Sequence, residues 1–217
     1  SGAKEAKYCI GSMHPNAGYD CGGNRNGWKE FTSNEKITVG TTGYVYLKFD
    51  SKTFYVEKYE KAISFRVDTT APSITVPTSD DASTWAKSHT VSGITFKDWH
   101  SGVNTSTKYY CWRENSTTPG STDSCWTSFT GDSVTKSSLT GKYYLHVKAS
   151  DNAGNVGYGK TSSAMYFDNE APTITNLIVD SSDWAKSHTV SGMTFDDNNR
   201  SGVNDSTKKY CWNTSSS

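Results

Sequence analysis

Oxygen-bearing side chains surround a glycine in the segment DNAGN, residues 151–155. Asp151, Asn152 and Asn155 offer the carboxylate and amide oxygens that Ca²⁺ takes as ligands in proteins. The same residue types are also the ordinary composition of a tight hairpin turn. We therefore expect no cofactor, and calcium held by these three residues is the alternative.

Other residues that could catalyse a reaction lack the spacing that the chemistry needs. His89 and His188 recur in identical contexts, but no Cys-x-x-Cys or His-x-x-x-His pattern accompanies them to complete a zinc site. Ser88 and His89 are neighbours, and neighbouring side chains on a strand point to opposite faces. We find no nucleophile elbow, phosphate loop or supported carboxylate pair. The sequence therefore predicts a protein that is not an enzyme.

Aromatic side chains are the strongest candidates for ligand binding. The chain has seven Trp and thirteen Tyr in 217 residues. Flat aromatic faces stack on sugar rings, while polar ring edges bond to hydroxyl groups. Trp99, His100 and Trp126 lie in or near segments that we interpret as loops. We predict these three residues as the ligand-binding set, with a glycan as the ligand.

These residues belong to a unit that recurs about every hundred positions. FRVDTTAPSIT from Phe65 returns as MYFDNEAPTIT from Met165, and the nine residues WAKSHTVSG at 85–93 return unchanged at 184–192. A fixed period of this length predicts an array of small domains, which usually serve as spacers or multivalent binders. We predict a divergent or partial repeat at residues 1–68, a complete repeat at 69–168 and the first half of a third repeat at 169–217.

Cysteine spacing follows the same repeat. Cys111 and Cys125 lie 14 residues apart, and Cys9 and Cys21 lie 12 apart at the equivalent place. This spacing predicts one short-range disulfide in each repeat. Cys211 would begin a third pair, whose partner we expect outside the sequence. Because cytosolic thiols stay reduced, paired cysteines predict an extracellular or cell-surface location.

Composition excludes several classes of partner. Lys plus Arg and Asp plus Glu are both 22, so no basic surface favours nucleic acid or an anionic membrane. Mean hydropathy is -0.69, and no stretch approaches the twenty apolar residues of a membrane helix, which predicts no membrane contact in this segment. Ser, Thr, Tyr and Trp are abundant, as is typical of strands.

Seven short strands are predicted in the complete repeat, separated by turn-rich segments. In YYLHVKA, residues 143–149, Tyr143, Leu145, Val147 and Ala149 alternate with polar or amphipathic residues, as strand periodicity requires. Seven strands in a hundred residues predict antiparallel β-sandwich domains of the immunoglobulin-like kind, arranged in tandem. The predicted strands are 73–76, 89–96, 108–113, 124–129, 133–139, 143–149 and 163–168.

A family resemblance follows from the order of the motifs. VDTTAP, Trp-Ala-Lys-Ser, SGV, a Tyr-x-Trp strand, YYLHVKASDNAGNVG and a closing FD occur in sequence. This order resembles the bacterial Ig-like repeats found in tandem on surface proteins, adhesins and multidomain glycoside hydrolases. The resemblance covers residues 69–168 and the first half of the pattern in 169–217. It implies an architecture and leaves function open, because such repeats serve on many different proteins.

The two partial repeats raise the question of what completes them. GYVYLKF at 43–49 aligns with GKYYLHV at 141–147, so residues 1–68 resemble the back half of a repeat. Half sandwiches expose apolar faces and strand edges. Either the molecule is longer, or another chain completes the halves.

These observations predict a non-catalytic stalk segment of a cell-surface or fibre-forming protein, which spaces or presents other modules. Its expected partners are neighbouring copies of itself or other modules of the same protein. Proline restricts the linkers at 68–72 and 168–172, which favours a semi-rigid array. The alternative is a carbohydrate-binding or adhesin module, or an accessory domain of a glycoside hydrolase.

Overall fold

The chain is all-β in the residues that the computed structural model describes, 3–11, 28–32, 35–51, 57–79 and 81–214. The strand ladders are antiparallel, and no α-helix occurs within these ranges. Two compact units are present. The first comprises residues 1–70, 99–101 and 152–155, and the second comprises 71–98, 102–151 and 156–217.

One four-stranded sheet forms the first unit, with strand order β2-β1-β3-β4. Its strands are β1 (Ala3–Gly11), β2 (Lys29–Glu30), β3 (Gly43–Ser51) and β4 (Glu57–Phe65). Cys9 lies opposite Tyr46 in the register, and both side chains are buried. Trp28 and Tyr44 pack against this pair and make a small aromatic core.

The second unit contains the complete predicted repeat. Its central sheet has the order β12-β11-β8-β9, and β13 pairs with the first part of β11. Two further ladders, β5 with β7 and β6 with β10, carry the remaining strands. The strands are β5 (Ser73–Thr75), β6 (Ser88–Val91), β7 (Thr95–Lys97), β8 (Tyr109–Arg113), β9 (Thr127–Ser128), β10 (Val134–Ser137), β11 (Gly141–Ser150), β12 (Val156–Lys160) and β13 (Met165–Phe167).

The same unit ends in two short ladders, β14 with β17 and β15 with β16. The strands are β14 (Thr173–Thr175), β15 (Ile178–Val179), β16 (Val190–Ser191) and β17 (Thr194–Asp196). Two 3-10 turns, Thr105–Thr107 and Asp205–Thr207, begin at Asn104 and Asn204. Each asparagine side chain accepts a hydrogen bond from the amide two residues later, which satisfies a donor at the start of the turn. No helix in the described ranges is long and apolar enough to cross a membrane.

Alternate residues of β11 make the centre of the core. Leu145 and Val147 are fully buried, because side chains two apart on a strand share one face. Phe167 on β13 is also fully buried, and the Trp112 and Tyr143 rings meet it edge-on at 5.4 and 6.0 Å between centroids. The buried apolar set is Val76, Ala82, Val91, Ile94, Val134, Leu145, Val147, Met165 and Phe167.

The structure has a strand within each of the seven predicted segments, with local differences. Residues 124–125 of the predicted strand 124–129 lie in a turn, and β9 begins at Thr127. The expected strand 89–96 is interrupted, because Gly93 adopts a φ of 73° and the chain turns between β6 and β7. Strand β12 was not predicted, because its sequence VGYGK is rich in glycine and lacks clear alternation. The antiparallel all-β arrangement is consistent with a β-sandwich.

Candidate functional site at the repeat junctions

Asp168 follows β13 directly, at the start of the linker 168–172. Its side chain connects this linker to the loop that contains Ser201. Its side chain accepts hydrogen bonds from the Glu170 amide at 3.3 Å and the Ser201 amide at 3.3 Å. The Ser201 hydroxyl also donates to it in a short hydrogen bond. The Ser201 hydroxyl bond, followed by the amide bonds, lowers the pKa of Asp168. This buried carboxylate therefore stays ionised and holds two loops together.

Asp197 supplies a second buried carboxylate to the same loop. It accepts a hydrogen bond from the Gly202 amide at 2.6 Å, and the Ser201 hydroxyl lies 3.1 Å from it. A hydroxyl has one proton, so Ser201 donates to Asp168 or to Asp197 at a given moment. Gly202 has a φ of 85°, a conformation that favours glycine. The recurring SGV motif therefore combines a hydroxyl donor with a turn that requires glycine.

The equivalent linker residue of the preceding repeat, Asp68, makes the corresponding contacts in the first unit. Its carboxylate accepts the Thr70 amide at 2.9 Å and the Ser101 amide at 3.0 Å. Hydrogen bonding from Ser101, and then from Thr70, lowers the pKa of Asp68. The nearby His100 ring nitrogen, 4.0 Å from the carboxylate, acts in the same direction. The Asp-to-Ser contact thus occurs twice, across 33 residues of sequence each time.

The asparagines of the predicted calcium turn act as hydrogen-bond donors. The Asn152 amide nitrogen donates to the carbonyl of Ser101 at 2.8 Å. The Asn155 amide nitrogen donates to the carbonyl of Asp68 at 3.0 Å. The two asparagines therefore connect the turn at 152–155 by hydrogen bonds to the backbone at Ser101 and Asp68.

Asp151, the third residue of that prediction, is almost fully buried in the second unit. Its backbone bridges Val103, and a carboxylate oxygen of Asp98 lies within 4.8 Å of one of its own. Asp98 also accepts the Gly102 amide at 2.7 Å, as Asp197 accepts the Gly202 amide. Carboxylate oxygens of this kind suit Ca²⁺, which takes six to eight oxygen ligands. Calcium binding stays a prediction.

Trp99 and His100, predicted for glycan binding, lie in the first unit and are exposed. The Trp99 side chain is 90% exposed, so a ring face is accessible to a ligand. The imidazole of His100 is 66% exposed and neighbours Asp68. A flat exposed ring beside polar groups is suited to stacking on a sugar.

Trp126, the third residue predicted for glycan binding, lies in the second unit and is partly buried. Its indole nitrogen donates to the Gly120 carbonyl at 2.7 Å, and the Lys148 ammonium lies 4.5 Å from the ring centroid. The Tyr158 ring packs at 6.2 Å between centroids. These contacts give Trp126 a structural role in holding the segment that covers the sheet.

A disulfide-closed segment, residues 111–125, covers the outer face of β11. Cys111 and Cys125 form the predicted disulfide. Lys148 donates to the Ser121 carbonyl at 2.5 Å, and Lys160 donates to the Ser116 carbonyl at 2.8 Å. Beneath the segment, His146 is 1% exposed. The outer face of β11 is therefore covered, although its sequence alternation alone would place it in solvent.

His146 is a titratable group inside this covered face. One ring nitrogen, Nε2, lies 3.2 Å from the Asn115 carbonyl oxygen, and the other, Nδ1, is buried without a hydrogen-bond partner. Burial lowers the pKa of His146, and the positive charges of Lys160 and Arg113 add to this effect. The neutral imidazole is therefore the form that the fold accommodates.

The other cysteines and His89 have simpler roles. Cys9 is disulfide-bonded, while its predicted partner Cys21 lies outside the described residues. Cys211 is an exposed free thiol. His89 is buried, and its Nε2 lies 2.9 Å from the Tyr166 carbonyl oxygen, so it has a structural role in the second unit.

Two glycines of β12 lie where the backbone of residues 72–74 passes close to the strand. No sequence pattern indicated this close approach. A Cβ atom on Gly157 would lie 2.1 Å from the carbonyl oxygen of Pro72. A Cβ atom on Gly159 would lie 2.9 Å from both the carbonyl oxygen and the Cγ2 atom of Ile74. The backbone of the linker and β5 therefore approaches β12 more closely than any side chain permits.

The contacts at the junctions are those of fixed anions with neutral donors. Amide groups bond to both linker carboxylates, and the Ser201 hydroxyl also bonds to Asp168, so the pKa of each carboxyl is lowered and distant loops are joined. Such a site fixes loop geometry. In comparisons with known proteins, no protein-family model matches this chain, and no curated protein gives a significant match to it.

Proposed function

We propose that this chain is a non-catalytic structural segment of an extracellular or cell-surface protein. In this proposal it consists of tandem immunoglobulin-like β-sandwich repeats that space or present other modules. Its partners are then neighbouring copies of itself or other modules of the same protein. The disulfide between Cys111 and Cys125 is compatible with such a location, because disulfides persist in oxidising compartments.

The recurrence of the linker contact supports this proposal most directly. Asp68 reaches Ser101 and Asp168 reaches Ser201, so each linker aspartate bonds to the loop of the repeat that follows it. An array that only needs connected domains can use flexible linkers of any sequence. A spacer is expected to restrict its linkers, and the hydrogen bonds to Asp68 and Asp168 are contacts of the kind that such a restriction would use.

Proline adds a second restriction at the same place. Pro72 is buried, and its ring fixes its own φ and restricts the preceding Ala71. The aspartate contact and the proline therefore limit the same five-residue linker from both ends.

Small-angle scattering of chains with one, two or three copies of residues 69–168 tests the proposal. A spacer predicts that the largest dimension grows by an equal increment with each copy. Asp168→Ala at the junctions should broaden the distribution of dimensions, whereas Asp132→Ala, an exposed control within the same repeat, should leave it unchanged. Dimensions that do not grow with copy number would contradict a spacer role.

A carbohydrate-binding or adhesin role is the second candidate, and the exposure of Trp99 favours it. Trp184 is a matched control, because it is also a fully exposed tryptophan. Trp99→Ala should abolish binding to a glycan found by array screening, while Trp184→Ala should retain it. No binding in a broad screen, or equal loss in both variants, would remove this candidate. If the repeats are accessory domains of a glycoside hydrolase, the same glycan should be that enzyme's substrate.

A further inference from the structure

The disulfide of the complete repeat lies against a buried histidine. His146 of β11 is directly opposite Cys111 of β8 in the antiparallel register. Directly opposite residues share one face of the sheet, with their Cβ atoms about 4.5–5.5 Å apart. Cys111 is fully buried, and His146 is 1% exposed. The imidazole and the disulfide are therefore neighbours in one buried layer, beneath the segment 111–125.

The contacts of His146 determine which ring nitrogen can take up a proton. Nε2 lies 3.2 Å from the Asn115 carbonyl oxygen, and a carbonyl only accepts hydrogen bonds, so Nε2 carries the proton of the neutral ring. Nδ1 is then an acceptor, and it is buried without a hydrogen-bond partner in the part of the chain that the structure describes. Such groups are rare in native structures, and a redox or catalytic role is one physical explanation for them.

Reduction of the disulfide would supply the donor that Nδ1 lacks. A disulfide has no proton to donate, whereas a thiol does, and the thiolate formed by its loss is the nucleophile of disulfide exchange. Lys160 is opposite His146 in β12, and Arg113 is two residues beyond Cys111 on the same face. Positive charge of this kind favours a thiolate.

The other charged groups near this layer are accounted for by their own contacts. Asp123 of the covering segment pairs with Arg113 at 3.3 Å. Lys148, two residues beyond His146 in β11, donates to the Ser121 carbonyl. Lys160 donates to the Ser116 carbonyl. These contacts leave the imidazole as the neutral base beside the disulfide.

Exposure of the two cysteines indicates the direction of attack. Cys125 is partly exposed, whereas Cys111 is fully buried. A thiolate from solution therefore reaches the sulfur of Cys125, and the sulfur of Cys111 is the leaving group. Exchange requires this order, because the attacked sulfur must be accessible to the nucleophile.

We propose that Cys111, Cys125 and His146 form a thiol–disulfide exchange site for a small thiol of the glutathione class. On opening, the thiolate of the small molecule attacks the Cys125 sulfur, and a mixed disulfide forms there. The Cys111–Cys125 bond breaks with its electron pair on Cys111, which takes up the proton that the small thiol lost. On closing, Nδ1 of His146 removes that proton, the Cys111 sulfur attacks Cys125, and the small thiolate leaves and is reprotonated. This activity goes beyond the structural role proposed above and does not depend on it.

The test measures how fast the mixed disulfide closes in the full chain, with Cys211→Ser to remove the exposed free thiol. Reduced glutathione is added to the native protein and then removed by rapid dilution. Acid quenching and peptide mass spectrometry follow the glutathione on Cys125. At about pH 7 His146→Gln should slow closing about tenfold or more, because an unassisted thiol is only a few per cent thiolate there. At about pH 9.5 the rates should converge, because the thiol then ionises without a base.

His89→Gln is the matched control, because His89 is also a buried histidine of the second unit, on a strand that does not pair with β8 or β11. It should close at the rate of the unsubstituted chain at both pH values. The unsubstituted chain gives a second measurement that needs no variant to fold. An unassisted thiol with the ordinary pKa of about 8.5 loses thiolate about thirtyfold between pH 9.5 and pH 7. With Nδ1 as the base, the closing rate should fall by less than about fivefold over this range.

Four outcomes would overturn the proposal. His146→Gln closes as fast as the unsubstituted chain at pH 7, or its deficit persists at pH 9.5, which assigns His146 a packing role only. The unsubstituted chain shows the full thirtyfold fall, which excludes an internal base. Alternatively, glutathione opens the disulfide only as fast as the second unit unfolds, which makes the bond inert in the native state. The scattering test of the spacer role is separate from all four.

Discussion

Replacement of Gly157 by alanine tests whether the close approach of linker and sheet stabilises the repeat. Gly157 lies in β12, and the backbone of Pro72 crosses it at the point where the chain enters the repeat. A methyl group there meets a carbonyl oxygen and has no flexible side chain to displace. The linker or β12 must therefore move for the variant to fold.

The size of the effect follows from the distances. The new Cβ atom would lie 2.1 Å from the Pro72 oxygen, while ordinary contacts begin at 3.4 Å. The backbones must separate by roughly 1 Å, and overpacking of this kind costs about 1–3 kcal/mol. We expect the upper part of this range for Gly157→Ala. Gly159→Ala meets Ile74 atoms at 2.9 Å and should cost less.

Urea unfolding with hydrogen exchange of residues 141–167 measures the stability of the second unit separately from the first. Gly40→Ala is the control, because nothing lies within 4 Å of its new Cβ atom. It should change stability by less than about 0.5 kcal/mol. The reasoning is refuted if Gly157→Ala unfolds at the same urea concentration as the Gly40 control, or if Gly159→Ala is the more damaging change.

The remaining predictions concern the segment that covers β11. Because burial lowers the pKa of His146 from its ordinary value of 6.5, its contribution to stability is complete above that pH and decreases as the pH falls towards the lowered pKa. The stability difference between wild type and His146→Gln should therefore vary below pH 6.5 by at most about 1.4 kcal/mol per pH unit, and a pH-independent difference would contradict it. Joint replacement of Cys111 and Cys125 by serine opens a loop with a sequence separation of 14 and should destabilise the unit by about 3 kcal/mol, as measured by urea unfolding. An unchanged unfolding midpoint would show that the segment is held by its lysine and histidine contacts alone.

Several features could be predicted from the sequence because they depend on nearby residues. The alternation in residues 143–149 predicted which side of β11 enters the core, since side chains two apart on a strand share a face. The short spacing of Cys111 and Cys125 predicted their disulfide. The identity and function of the repeats stay proposals, because neither pattern contains information about a ligand.

The junction contacts required the tertiary structure. Asp168 and Ser201 are 33 residues apart, and each is an ordinary loop residue in the sequence. The amide nitrogens of Asn152 and Asn155 donate to carbonyls that are distant in sequence, and the turn composition did not indicate these contacts. Local composition indicates a turn, but only the path of the chain determines which groups that turn meets.

The sequence by itself determined the repeat period, the β composition, the alternation of the central strand and the pairing of Cys111 with Cys125. Tertiary structure alone decided that His146 is buried on the outer face and that Gly157 faces the linker backbone. The physical reason is the sequence distance over which each effect acts. Strand periodicity and loop closure act over a few residues, whereas burial and close approach arise when segments far apart in sequence pack together.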